Sequence, residues 1–291
     1  MHCLFVSDLH GRSDRYRSLF RAILEERPQA VFIGGDLFSL LPIAEADAHD
    51  TPLGDLDGFI IPSLLKLRSD LGEAYPDIYV ILGNDDGAAI EPDIRELEMQ
   101  GLWKYTHMRR IEIGAGFLVY GYNYIPPTPF QLKDWERYDV SRFVDPGCVS
   151  PEEGWRSIPT PENGIRYSTI KQDIEDLAGD EDQSRAIWLF HTPPHDTLLD
   201  RAGLDGKMVD HAPVDVHIGS IAVRRFIEKR QPLLTLHGHV HESAKLTGSW
   251  RDEIGRTVMF NGGHDGGELS LIRFDTENLD AATRELVPWR P

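Results

Sequence analysis

Only two cysteines, Cys3 and Cys148, occur in 291 residues, too few for a disulfide framework. Cys3 lies inside the apolar run HCLFVS, which reads as a strand, so a reducing, cytoplasmic setting is expected. Basic residues are scarce: 30 Lys and Arg stand against 48 Asp and Glu, a formal net charge of −18. Such a chain repels nucleic-acid phosphates and anionic lipid surfaces within a Debye length. Its densest basic cluster, Arg224, Arg225, Lys229 and Arg230, is explained by a solvated helix face rather than by a polymer-binding stripe. No apolar stretch approaches the roughly 18 residues of a membrane span, and the N-terminus lacks the basic-then-apolar order of a secretory leader. Repeats and low-complexity tracts are also missing. A small anionic substrate stays compatible with the charge if bound cations offset it locally.

What is present is an alternation of short apolar runs and helical faces. His2 to Ser7 reads as a buried strand, Tyr16, Leu19, Phe20, Ile23 and Leu24 share one helix face, and Ala30 to Ile33 is the next strand. Phe59 to Leu71 predicts a helix with Pro62 tolerable only in its first turn, and Ile78 to Leu82 a third strand. The β-α-β order implies a parallel sheet with helices on its faces, in which ligands bind beyond the carboxyl ends of the strands. A hairpin around Gly114 and Gly116 follows, then an irregular, aromatic stretch at about 124–164, expected to be a folded insertion in a single domain spanning 1–291. Further elements are a helix over 170–177, a strand over 186–190, a helix over 221–230 and a strand over 232–236. Late strands are expected around 243–246, 257–260 and 269–274.

Polar residues with metal-ligating chemistry fall just past several of these strands: Asp8 and His10, Asp36 in Gly34-Gly35-Asp36, Asn84 in Gly83-Asn84-Asp85-Asp86, His191, and His239 and His241 in His237-Gly238-His239-Val240-His241. Taken singly, each has an ordinary explanation as a turn former, cap or surface residue. The alternate histidines after a leucine-rich strand are harder to explain by packing, and a close pair of imidazoles in a loop suits neighbouring ions. Two divalent ions about 3.5–4 Å apart can share a bridging hydroxide and neutralise charge during in-line attack on phosphorus. Mixed imidazole and oxygen ligands suit Mn, Fe, Zn, Co or Ni better than Ca or Mg, without choosing among them.

In this order the segments D-x-H, G-D, G-N, H and G-H-x-H, spanning residues 8 to 241, resemble the calcineurin-like metallophosphoesterase family. The resemblance implies a four-layer α/β/β/α sandwich and a phosphoesterase acting on a small phosphate ester. It also implies that Asp8, His10, Asp36 and His241 hold one metal, with Asn84, His191, His239 and the shared Asp36 holding the other. One position departs from the pattern. Many members carry a histidine directly after the asparagine, and here that residue is Asp85.

An ionised Asp85 would repel a dianionic monoester, so diesters are the expected substrates; the plainer reading is that Asp85 caps the next helix. His195, four residues beyond His191, is the candidate replacement acid, or else it caps a proline turn. His217, His264 and Asn123 are further residues expected near the site, with Ser220 as a helix cap. Two other functions share the scaffold: a non-catalytic protein-binding member, which would not need a full ligand set, and a metal-dependent nuclease, which the charge disfavours. Specificity is expected from 38–59, 124–164 and the loop after His195. The sequence does not reveal an oligomeric state.

Overall fold

The computed structural model describes residues 1–38 and 52–289. The chain opens with β1 (His2–Val6), α1 (Ser13–Glu26) and β2 (Ala30–Gly34). Helical backbone then runs from α2 (Pro52–Asp55) through a wider π-helical turn, Leu56–Ile60, into α3 (Ile61–Leu71). Helical backbone thus starts earlier than Phe59, and Pro62 falls in the first turn of α3. The π turn makes this possible, because the Ile61 N–H reaches back to the Leu56 carbonyl and the widened turn resets the ladder just before a residue with no N–H. The specificity segment 38–59 lies partly outside the described residues.

β3 (Asp77–Ile81), α4 (Glu91–Met99) and β4 (Lys104–Tyr105) complete the first half, and the hairpin forms as β5 (Arg109–Ile113) and β6 (Phe117–Tyr122). There follow α5 (Glu162–Tyr167), α6 (Ile170–Ala178), β7 (Ala186–Phe190), a small hairpin of β8 (Met208–Val209) and β9 (Ala212–Pro213), and α7 (Ile221–Arg230). The chain then forms β10 (Leu234–His237), α8 (Ser243–Thr247), β11 (Arg251–Ile254), β12 (Thr257–Asn261), β13 (Leu269–Asp275) and β14 (Asn278–Val287). The strand expected at 243–246 is instead α8. The preceding turn bonds Lys245 and Leu246 N–H groups back to the Glu242 carbonyl, and Gly248 in the left-handed region ends the helix.

Two mixed six-stranded sheets result, in the orders β14-β13-β1-β2-β3-β4 and β11-β12-β10-β7-β6-β5. In the first, β1 to β4 run parallel, with β13 antiparallel to β1; in the second, β6, β7, β10 and β12 run parallel with antiparallel edges. Side-chain alternation builds the layers. Cys3 and Phe5 of β1 meet Ile187, Leu189, Leu234 and Leu236 between the sheets. Leu4 and Val6 face the opposite way, onto Leu19 and Ile23 of α1, Leu64 of α3 and Ile94 of α4. Trp188 and Phe190 of β7 pack on the other outer face with Ile174 of α6 and Phe226 of α7. Helices therefore flank a pair of sheets, giving the α/β/β/α order.

Residues 125–161 form no named helix or strand, yet the stretch is folded. Ile125, Trp135 and Tyr138 are buried, isolated bridges join Ile125 to Glu136 and Leu132 to Trp155, and a fully buried ion pair links Lys133 to Glu136. Asp139 from this stretch accepts the N–H groups of Ile221 and Ala222, adding to the Ser220 side-chain cap of α7.

Candidate metal centre

Each of the five clusters follows a strand of the central sheets: Asp8 and His10 after β1, Asp36 after β2, Asn84 after β3, His191 after β7, and His239 and His241 after β10. The turns that carry them are tight. Asp8, His10, Asp36 and His239 all have positive φ, between 49° and 65°, a region that costs non-glycine residues of order 1–3 kcal/mol each and that Asn, Asp and His tolerate best. Neighbouring backbone locks them there: the Asp8 N–H donates to the Gly35 carbonyl and the His10 N–H to the Asp36 carbonyl, at 3.0 and 2.8 Å. Glycine is needed where these turns meet. A Cβ on Gly83 would lie 2.6 Å from both the Asp36 backbone nitrogen and the His191 ring, and one on Gly238 would lie 2.6 Å from Asp8 Oδ2.

The side chains converge. Ligand atoms of Asp8, His10, Asp36 and His241 all lie within 4.8 Å of one another, so these four could hold one ion among the described residues. Asp8 Oδ1 is 3.2 Å from His241 Nε2 and accepts the His239 N–H at 3.0 Å. Asp36 stands between two groups: its Oδ2 is 4.0 Å from His10 Nε2 and 3.3 Å from His191 Nε2. Asn84 Oδ1 lies 3.1 Å from the same His191 nitrogen, and the His239 ring centre is 5.4 Å from that of His191. His191 Nδ1 bonds to the Gly34 carbonyl at 2.8 Å, which leaves Nε2 facing inward.

The donor set fits divalent ions. Asp8 Oδ2 is buried with no hydrogen-bond partner among the described residues, an orphaned charge-bearing oxygen that a cation would satisfy. Burial works against ionisation of Asp8 and Asp36, but the facing imidazoles outweigh it and hold both carboxyls below the usual range. Burial likewise opposes charge on His191 and His241, yet Asp36 and Asp8 raise them to about 10 and about 9. Burial and the neighbouring His191 drive His239 down to about 3. The two carboxylates thus draw positive charge into the cluster, and a bound cation would supply it while leaving the imidazoles neutral to ligate.

Asp85 does not cap a helix. Its Oδ1 accepts from the Asn84 side-chain amide at 2.8 Å and its Oδ2 sits 3.5 Å from His10 Nδ1, so it orients two of the expected ligands. Burial, then Asp36 and Asp86, push its carboxyl up to about 8. His195 contacts Asp215 at 3.1 Å, with its ring centre 6.0 Å from that of His217. His217 in turn bonds Asp200 at 2.8 Å.

Three residues have roles that the sequence pattern does not reveal. His237, first of the alternate histidines, is fully buried and has both nitrogens engaged, with the Thr192 carbonyl and Thr235 Oγ1. Asp86, buried beside the cluster, accepts the N–H groups of Leu37, Phe38 and Gly83 and ties the second turn to the third. Arg15 donates to the Asp8 carbonyl and, at 2.6 Å, to the Gly266 carbonyl, which brings the turn containing His264 against the first. No local motif marks these residues, because most of their partners are backbone groups distant in sequence. Asn123 acts similarly, accepting the Leu82 N–H at 3.1 Å just before the Asn84 turn.

A family model described as calcineurin-like phosphoesterase matches residues 1–243. The chain belongs to the calcineurin-like phosphoesterase family. Compared with curated proteins, the sequence finds no match. Solved structures share the fold of this family member. The protein TT1561 of Thermus thermophilus superposes with a TM-score of 0.55 at 17% identity, covering 99% of each chain. A dimetal phosphatase from Danio rerio superposes with a TM-score of 0.53 at 13% identity, covering 94% of this chain and 91% of its own.

Proposed function

We propose that the chain is a binuclear metal-dependent hydrolase that cleaves phosphodiesters. The observation that carries this reading is the placement of Asp36, whose single carboxylate faces His10 on one side and His191 with Asn84 on the other. That is where a carboxylate shared between two ions would stand, and the solved phosphatase of this fold described as dimetal supports the count. Asp8, His10, Asp36 and His241 would hold one ion, and Asn84, His191, His239 and Asp36 the other. Bound transition-metal ions would activate the attacking water and neutralise charge on the phosphoryl oxygens.

The chain's own residues then set which ester reacts. Asp85 contacts the Asn84 amide and the His10 ring, and its carboxyl, which bound cations would favour in the ionised form, would then disfavour a dianionic monoester relative to a monoanionic diester. His195, held by Asp215, is the proposed proton donor to the leaving oxygen. Paired assays with bis-nitrophenyl and mono-nitrophenyl phosphate test the preference; faster monoester turnover would refute it. Asp85→His should shift the ratio towards the monoester. His195→Ala should slow esters with poor leaving groups by about 10²-fold while sparing nitrophenyl esters, and equal loss on both would remove His195 from the role.

A further inference from the structure

The folded stretch after β6 packs against the start of α4 and leaves a half-open cavity of about 300 Å³. None of the seven expected metal ligands lines it. Its walls include Arg137, Arg156, His107, Trp135 and Tyr124. Three carboxylates also reach it, but each is already engaged: Glu91 by Arg95, Asp134 by the Ala88 and Ser157 N–H groups, and Glu136 by Lys133 and Thr128.

The donors are not matched in the same way. Arg156 bonds to the backbone carbonyls of Lys133, Asp134 and Pro151, and no carboxylate among the described residues lies in ion-pair range. A guanidinium has five N–H groups, so at least two remain, and Asp134 and Glu136 act on its charge only from beyond ion-pair range. Trp135 is 4% exposed, and its indole N–H meets no acceptor among the described residues. His107 Nδ1 accepts the Asn123 N–H at 3.1 Å, which requires the neutral tautomer to carry its hydrogen on Nε2. Burial, then Arg137 and Arg95, keep that ring neutral by holding it down to about 3. Arg137 lies 3.8 Å over the Tyr124 ring and is paired with Asp173.

A polar cavity with spare donors, a cation held in no ion pair among the described residues and carboxylates already occupied calls for an acceptor-rich anion. We propose that this cavity binds a small oxyanion, a carboxylate or a phosphate group, on Arg156 and the Trp135 indole N–H.

The test follows the indole N–H resonances of the six tryptophans in the full-length chain, with Trp135→Phe assigning the Trp135 signal. Sodium phosphate and sodium succinate are titrated separately at constant ionic strength. The Trp135 signal should shift saturably with at least one of them, and which one acts identifies the anion class. Arg156→Met should weaken that affinity by about tenfold or more, as expected for loss of a charge-assisted bond. Should Arg156→Met fail to fold, Arg156→Gln keeps amide donors for the backbone carbonyls while removing the charge, and should weaken binding similarly. No shift at Trp135 with either anion, or wild-type affinity in a folded neutral variant, would overturn the proposal.

Discussion

At the scale of single residues, the candidate site depends on groups that never touch a ligand. Asp86 holds three buried N–H groups on two different turns, so Asp86→Ala should cost about 3 kcal/mol or more in urea unfolding and lower metal content together. A stable variant with full metal occupancy would contradict that. His107 gives a pH prediction. Its folded-state value is held down to about 3, below that of an unfolded histidine near 6.5. Above about pH 6.5 both states are neutral and pH has no leverage. Below it the unfolded chain takes up the proton first, so stability falls by about 1.4 kcal/mol per pH unit until the folded ring also titrates. His107→Asn should flatten the loss between about pH 6 and 4, and an unchanged slope would show that other groups set it. Six of the seven expected ligands are legible because each lies just past a strand with a glycine or a second ligand nearby, whereas His191 follows its strand alone. His237 is not, because spacing alone cannot tell a buried, fully bonded imidazole from a free one.

At the scale of elements, apolar runs buried on both faces are readable, as with β1, β2, β3 and β7. Edge strands are less so, the hairpin strand β5 excepted. β11 and β14 carry charged and half-exposed side chains and are held mainly by backbone pairing, so they leave little hydrophobic pattern. α8 resembles a strand in sequence because five residues are too few to separate period 2 from period 3.6. The turn between β10 and α8 is a sterically tight element of the site. Gly238→Ala would force a methyl against Asp8 Oδ2 and Ser7, so it should reduce metal content as measured by elemental analysis, even where circular dichroism shows an intact fold. Full metal occupancy in that variant would mean the turn moves freely.

At the scale of the whole molecule, the candidate metal cluster gathers its expected ligands from turns that follow strands of both sheets, with Asp8, His10, Asp36 and Asn84 from one and His191, His239 and His241 from the other. Ions bound there would tie the sheets together and should stabilise the fold by linkage, about 4 kcal/mol at a thousandfold excess over the dissociation constant. Chelation should therefore lower the melting temperature, and Mn, Zn or Fe should restore it; a melting temperature indifferent to both would argue against resident metals. The net charge of −18 further predicts no salt-sensitive retention on DNA.

The pairing of β1 with β13 also governs the order in which the molecule can be made. His2 lies opposite Asp275 and the Met1 amino group contacts that same carboxylate, so one side of β1 waits for a strand made long after it. At about 5–20 residues per second, roughly eight to thirty-three seconds separate synthesis of β4 from that of β13. Throughout that interval a nascent β1-β2-β3-β4 sheet presents an open, apolar edge. Chaperone shielding or slow, late consolidation should therefore mark its biogenesis, and chains stopped before Leu269 should aggregate rather than accumulate.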